Sequence, residues 1–143
     1  MGTRTLVHIK DGKKTIATIY RQYDGYPTGM GDDIKEILNN GMVKILNGYS
    51  LEHQVPKQFN GMGCLAAYLI GELKNKKIGN VYIFPTNSKD VGEDFTYTIS
   101  EDLGILNLKV VENSYNGNKT IFKGALINFD GKTVEGIDEE NVS

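Results

Sequence analysis

Over residues 5–10 apolar and polar side chains alternate, with Val7 and Ile9 on one face, and over 15–22 Ile16, Thr18 and Tyr20 do the same. Period-two alternation around a Gly-containing connection, Asp11-Gly12-Lys13-Lys14, predicts a hairpin. The period then changes. Ile34, Ile37, Leu38, Met42, Ile45 and Leu46 recur at i, i+3, i+4 spacing, and Asp33 with Glu36 makes an Asp-x-x-Glu variant of the capping box. A helix is predicted over 33–47, weakened in the middle by Gly41. Residues 48–63, including His53, Pro56 and Phe59, read as loop. A second helix starts near Gly63-Cys64, buries Leu65, Ala66, Leu69, Ile70 and Leu73, and ends in Lys74, Lys76 and Lys77 before Gly79.

Four strands follow, at 80–84, 94–100, 105–112 and 119–126. Phe95, Tyr97 and Ile99 alternate with Thr96, Thr98 and Ser100, as in a strand with one wet face. Asn116-Gly117 is the strongest hairpin-turn signal. Residues 138–143 read as a solvated, fraying end. The order β-β-α-α-β-β-β-β predicts an α+β fold, a mostly antiparallel β-sheet with two helices packed on one face. Residues 1–143 read as a single domain.

Charge changes the picture in one respect. The 143 residues carry a formal charge of −2, so no bulk field favours a nucleic-acid backbone or an anionic membrane. The basic set is lopsided, fourteen Lys against Arg4 and Arg21. A single cysteine excludes an internal disulfide, and one Cys with two His cannot make a Cys/His structural zinc site. No metal and no cofactor is expected. The sequence has no secretory h-region and no stretch approaching a membrane span, so a cytoplasmic protein with a reduced thiol is expected.

The scarce arginines fall on the predicted hairpin. If residues 11–14 form the loop, Lys10 faces Thr15 and Arg4 lies opposite Arg21; a two-residue turn makes them diagonal neighbours on one face. Only an odd-length loop separates them. Such a pair suits a phosphate or carboxylate through its bidentate forks; the plainer reading pairs Arg21 with Asp24 on an exposed face. Both hairpin faces carry apolar residues, Leu6, Ala17 and Ile19 opposite Val7, Ile9 and Ile16. One face is expected on the helices, the other against a second subunit of a homo-oligomer.

Two glycine-rich stretches lead into helices. Residues 25–31 resemble a phosphate loop in composition, but Asp32 and Asp33 at the helix start would repel an anion. Residues 60–67 have no acid in the first turn, so Gly61, Gly63 and Cys64 make a candidate anion subsite; close packing of a glycine turn is the plainer account. Cys64 in a first helical turn has a favourable dipole, and His53 is the candidate base for a thiol nucleophile, although such a cysteine is more often a small buried hydrophobe. In Asp90-Val91-Gly92-Glu93-Asp94 the carboxylates suit a ribose hydroxyl, a divalent cation or general-base work, or are simply a solvated loop. Tyr20, Tyr23 and Tyr26 cluster beside Arg21 and Asp24, where a ring and a guanidinium can stack a base.

The opening Met-Gly-Thr-Arg, the run Tyr20-Arg21-Gln22-x-Asp24-Gly25-Tyr26-Pro27-x-Gly29-x-Gly31, the segment Asn60-Gly-Met-Gly-Cys-Leu-Ala-Ala67 and Gly92-Glu93-Asp94-Phe95-x-Tyr97 resemble a family of small uncharacterised bacterial and phage proteins. The resemblance spans residues 1 to about 100. It brings no activity with it, but implies a site among Arg4, Arg21, Asp24, Tyr26, Gly63, Cys64 and Glu93. The phage setting implies a part in host–virus conflict. The expected function is a non-enzymatic, sequestering binder of an anionic, nucleotide-like small molecule. A protein-binding inhibitor of a host factor, and a small hydrolase using Cys64 and His53 or a metal–carboxylate site on a phosphoester, are the alternatives.

Overall fold

The computed structural model of the chain describes residues 2–46 and 58–136. The strands are β1 (Thr5–Asp11), β2 (Lys14–Arg21), β5 (Val81–Phe84), β6 (Phe95–Asp102), β7 (Ile105–Glu112) and β8 (Lys119–Ala125), in one sheet of order β5-β2-β1-β6-β7-β8. β1 and β6 are parallel and the other pairs antiparallel. The expected α+β fold is therefore present. Two helices, α1 (Asp32–Ile37) and α2 (Gly61–Lys74), cover one face of this sheet. Ile34, Met62, Leu65 and Leu69 pack there with Val7, Ile9, Ile19, Tyr97, Ile99, Leu108 and Val110 in one buried cluster. A small parallel pair, β3 (Lys44–Leu46) and β4 (Gln58–Asn60), and a short helix α3 (Gly131–Val134) complete the chain.

The first predicted helix is cut short. α1 ends at Ile37, and Asn39 and Asn40 turn to φ 55° and 59° within a single 3-10 turn. Asparagine tolerates this left-handed region, and the Asn39 side chain then donates to Met42 O at 2.9 Å. The apolar positions Ile45 and Leu46 continue as strand β3 instead. The predicted capping box does not form either. A π-turn over Pro27–Gly31 runs directly into α1, so the carboxylates are free for other partners. Asp32 accepts from Gly131 N–H, and Asp33 pairs with Arg21. The π-turn is packed from above. A Cβ on Gly31 would stand 2.4 Å from Phe129 Cζ, and the buried Tyr97 hydroxyl donates to Gly25 O at 2.7 Å.

One irregularity sets the positions of the charged residues. Lys10 pairs with Thr15 as predicted, but the register shifts between Ile9 and Lys10, so Ile9 meets Ala17 and Thr5 meets Arg21. A bulge adds one residue to one strand, and a one-residue slip moves every later side chain to the other face. Arg4 and Arg21 are thereby separated. The same slip corrects the predicted hairpin faces: Val7 and Ile19 pair towards the helices, whereas Leu6 pairs with Tyr20 and His8 with Thr18 on the opposite face. The opposite face thus carries Leu6 and Tyr20 beside His8 and Thr18, while Ala17 and Ile19 join Val7 and Ile9 on the helix side.

The connection 85–94 returns the chain from the end of β5, beside Thr18, to the start of β6, beside Thr5. β5 and β6 run in the same direction, and such crossovers usually need a dozen or more residues and a helix. Here a bare strap crosses the face opposite the helices. Asn87 N–H donates to Thr18 Oγ1 at 3.3 Å, Asp94 N–H donates to Arg4 O at 2.8 Å, and Arg4 N–H donates to Asp94 Oδ2 at 2.9 Å.

Candidate functional site

With the helices on one side, side chains of the other face are arranged by strand register alone. Partner follows partner across the whole sheet: Phe84, Thr18, His8, Thr98, Lys109, Lys123. Strands stand about 4.8 Å apart, so this row is roughly 24 Å long. It passes from an aromatic edge, where Phe84 stacks on Tyr20 at 4.9 Å between ring centroids, through hydroxyls and an imidazole to two ammonium groups.

The strap converts part of this face into concave space. A cavity of about 270 Å³ lies between strap and sheet, lined by His8, Thr96, Thr98 and Lys109 below and by Ser88 and Glu93 above. It adjoins a second, of about 500 Å³, lined by Lys10, Thr98, Ser100, Asn107, Lys109 and Lys123. Towards the strap's acidic end a third, of about 510 Å³, is bounded by Asp90, Glu93, Asp94, Asn113, Ser114 and Tyr115.

The electrostatics of the row are uneven. Lys109 and Lys123 are direct cross-strand partners, an arrangement that destabilises an antiparallel pair. Among the described residues the ion pair present is Arg21–Asp33, and none involves Lys10, Lys109 or Lys123. His8 Nδ1 lies 2.8 Å from Thr18 Oγ1. Burial holds the His8 pKa below the ordinary imidazole value; Lys10 acts in the same sense and Glu93 against it.

The residues predicted from sequence are distributed over three places. Arg21 lies on the helix side, where Nη1 meets Asp33 Oδ2 at 2.7 Å and Met30 Sδ at 3.5 Å, while Nε donates to Tyr23 O. Its partner is thus Asp33 and not Asp24. Asp24 instead accepts from the Tyr26 hydroxyl at 3.0 Å, and that bond raises the Tyr26 pKa. Arg4 lies against the strap, with Nη1 2.9 Å from where a Cβ on Gly92 would be. Glu93 is on the strap, but its carboxylate accepts the N–H groups of Asp90 and Val91. The Asp90–Asp94 acids are therefore turned largely onto backbone.

Gly61, Gly63 and Cys64 begin α2, and Cys64 is exposed rather than buried. At the far end of that helix Lys74 Nζ donates to Val81 O, and Val81 is the strand partner of Arg21. A helix of 14 residues is about 21 Å long, so the α2 start and Arg21 stand at opposite ends of the helical layer. They do not converge. His53, the base considered for Cys64, lies outside the described residues, as does the segment 138–143.

Lys10, Lys109, Lys123, His8 and Thr98 were not singled out by the sequence. The signal was partly there, since Thr96, Thr98 and Ser100 mark a wet face. What links that face to two lysines and an imidazole is register between strands far apart in the chain. Among the described residues no group of three or more His, Cys, Asp or Glu is placed to hold a metal ion, and no helix is long and apolar enough to cross a membrane. Compared with protein-family models, curated proteins and solved structures, the chain has no match.

Proposed function

We propose that the protein binds, without chemistry of its own, an anionic nucleotide-like small molecule on the open face of its sheet. The observation that carries this reading is the direct cross-strand pairing of Lys109 with Lys123, with Lys10 in the same cavity and no carboxylate paired to any of them among the described residues. Two facing ammonium groups repel, and a bound phosphate removes that repulsion while gaining charge-assisted hydrogen bonds. Thr98, Ser100 and Asn107 line the same cavity and supply neutral hydrogen-bonding groups around an anion. The site differs from the arginine pair expected at first, because Arg21 is already neutralised by Asp33. The ligand class is the same. In the phage setting that the motifs imply, such a binder would act by sequestering a nucleotide signal.

The test is a thermal-shift screen of mononucleotides and dinucleotides at millimolar concentration, followed by calorimetry. A ligand at about 100 times its Kd stabilises the fold by about 2.7 kcal/mol. Lys109→Ala and Lys123→Ala are each expected to weaken binding about tenfold or more, the usual size of a lost hydrogen bond to a charged group. An unshifted melting temperature across the screen removes the reading.

A further inference from the structure

The cross-sheet row contains one buried hydroxyl whose neighbours favour one direction for its proton. Thr18 is buried, with 1% of its surface exposed. Its hydroxyl oxygen receives the Asn87 N–H at 3.3 Å and lies 2.8 Å from His8 Nδ1. A hydroxyl has one proton to give and two lone pairs to receive with. Asn87 occupies one lone pair, and His8 Nδ1 is the acceptor that the structure puts within reach of the proton. The arrangement that pairs this proton has Nδ1 unprotonated and the neutral ring's proton on Nε2; the reverse arrangement, with Nδ1–H donating to the second Thr18 lone pair, leaves the buried hydroxyl proton without Nδ1 as its acceptor.

A protonated ring would give Nδ1 a hydrogen of its own and leave the buried Thr18 proton without that acceptor. The surroundings are divided, with burial the largest influence against a positive ring. Lys10 on the same strand and Lys109 on β7 oppose a positive ring, while Glu93 and Asp90 on the strap favour one and Lys89 there does not. Burial adds to the lysines.

Nε2 is the ring nitrogen that Thr18 does not engage. His8 lines the same 270 Å³ cavity as Lys109. The two residues are separated by two strand spacings, about 10 Å at the backbone. That spacing leaves room for a tetrahedral anion between an imidazole N–H and a flexible ammonium, and the Glu93 carboxylate that also lines the cavity is turned onto the Asp90 and Val91 N–H groups. Resting on the anion-binding reading above, we propose that His8 is a specificity-determining residue of the site, donating Nε2–H to a phosphoryl oxygen whose charge Lys109 neutralises. The slot beneath the strap then admits an acceptor oxygen and excludes an amino group, which would set a donor against a donor.

The experiment is two-bond ¹H–¹⁵N NMR on the full chain with labelled histidine, His8 being assigned against the spectrum of His8→Gln, with 5′-AMP as the probe. The expected spectrum of the free protein has an unprotonated Nδ1 and a protonated Nε2, and 5′-AMP shifts Nε2 and slows exchange of its proton. His8→Gln, which keeps a donor near the Nε2 position, is expected to hold 5′-AMP within about threefold of wild type; His8→Leu is expected to lose tenfold or more. A protonated Nδ1 overturns the proposal. So does 5′-AMP binding that Lys109→Ala weakens while Nε2 is unmoved, and that outcome leaves the anion-binding reading standing. Failure of 5′-AMP to bind wild type overturns the specificity proposal, while the anion-binding reading falls only if the whole nucleotide screen is also without effect.

Discussion

A guanidinium placed between a sheet and a helix has to find acceptors before it can be buried, and Arg21 finds them locally. Its side chain is 11% exposed and Asp33 is 43% exposed, so the pair is half in water. The Tyr23 carbonyl satisfies a second N–H. Deleting one partner of a fully buried pair costs 3–5 kcal/mol, but solvent around Asp33 screens the charge left behind. Arg21→Ala is therefore expected to destabilise the fold by about 1–2 kcal/mol, read as a lower urea midpoint with unchanged slope. Affinity for the anion should not change, because Arg21 and the lysine row occupy opposite faces of the sheet. A loss of binding in a variant still folded at the assay temperature would return Arg21 to the site and count against the open face.

At the scale of elements, the strap is the part whose order the ligand cavity depends on. Gly92 adopts φ 89°, a region that disfavours side chains, and lies against the Arg4 guanidinium. An alanine there costs roughly 1–2 kcal/mol in backbone strain. Gly92→Ala is expected to accelerate hydrogen exchange at the Asn87 and Asp94 amides, which hold the strap to Thr18 and Arg4, and to leave the β6–β7 ladder protected. Uniform acceleration through the sheet would mean that the strap and sheet open as one unit. The six strands of the main sheet and the second helix were legible in the sequence because their apolar periodicities run through the element, whereas β3 was read as helix and β4 as loop. The end of the first helix was not legible, since its i, i+3, i+4 pattern continues through Asn39 and Asn40 into residues that pair as β3. A bulge leaves even less trace. One extra residue beside Ile9 decides which face Arg21 takes, and no local composition announces it. The acidic loop was visible as a loop, but its role as a crossover became legible only with the parallel pairing of β1 and β6.

For the whole molecule, a net charge of −2 conceals local concentrations, with Asp90, Glu93 and Asp94 on the strap and Lys10, Lys109 and Lys123 around one cavity. The global sum has little bearing on a site smaller than the screening length of about 8–10 Å. The lysine concentration also opposes the stability of the fold, since Lys109 against Lys123 is an unfavourable cross-strand pair that a substitution at either position would relieve. Lys109→Glu separates stability from function. It places opposite charges across the β7–β8 pair and is expected to stabilise the protein by a few tenths to about 1 kcal/mol, raising the melting temperature by a few degrees at low salt. The same change puts a carboxylate where the phosphate is to sit, so nucleotide binding should disappear. A variant that melts higher and binds nothing would mark the lysine pair as a feature kept for a ligand at the expense of the fold. A variant that melts lower would show that Lys109 is already compensated within the protein, and the anion would lose its reason to bind there.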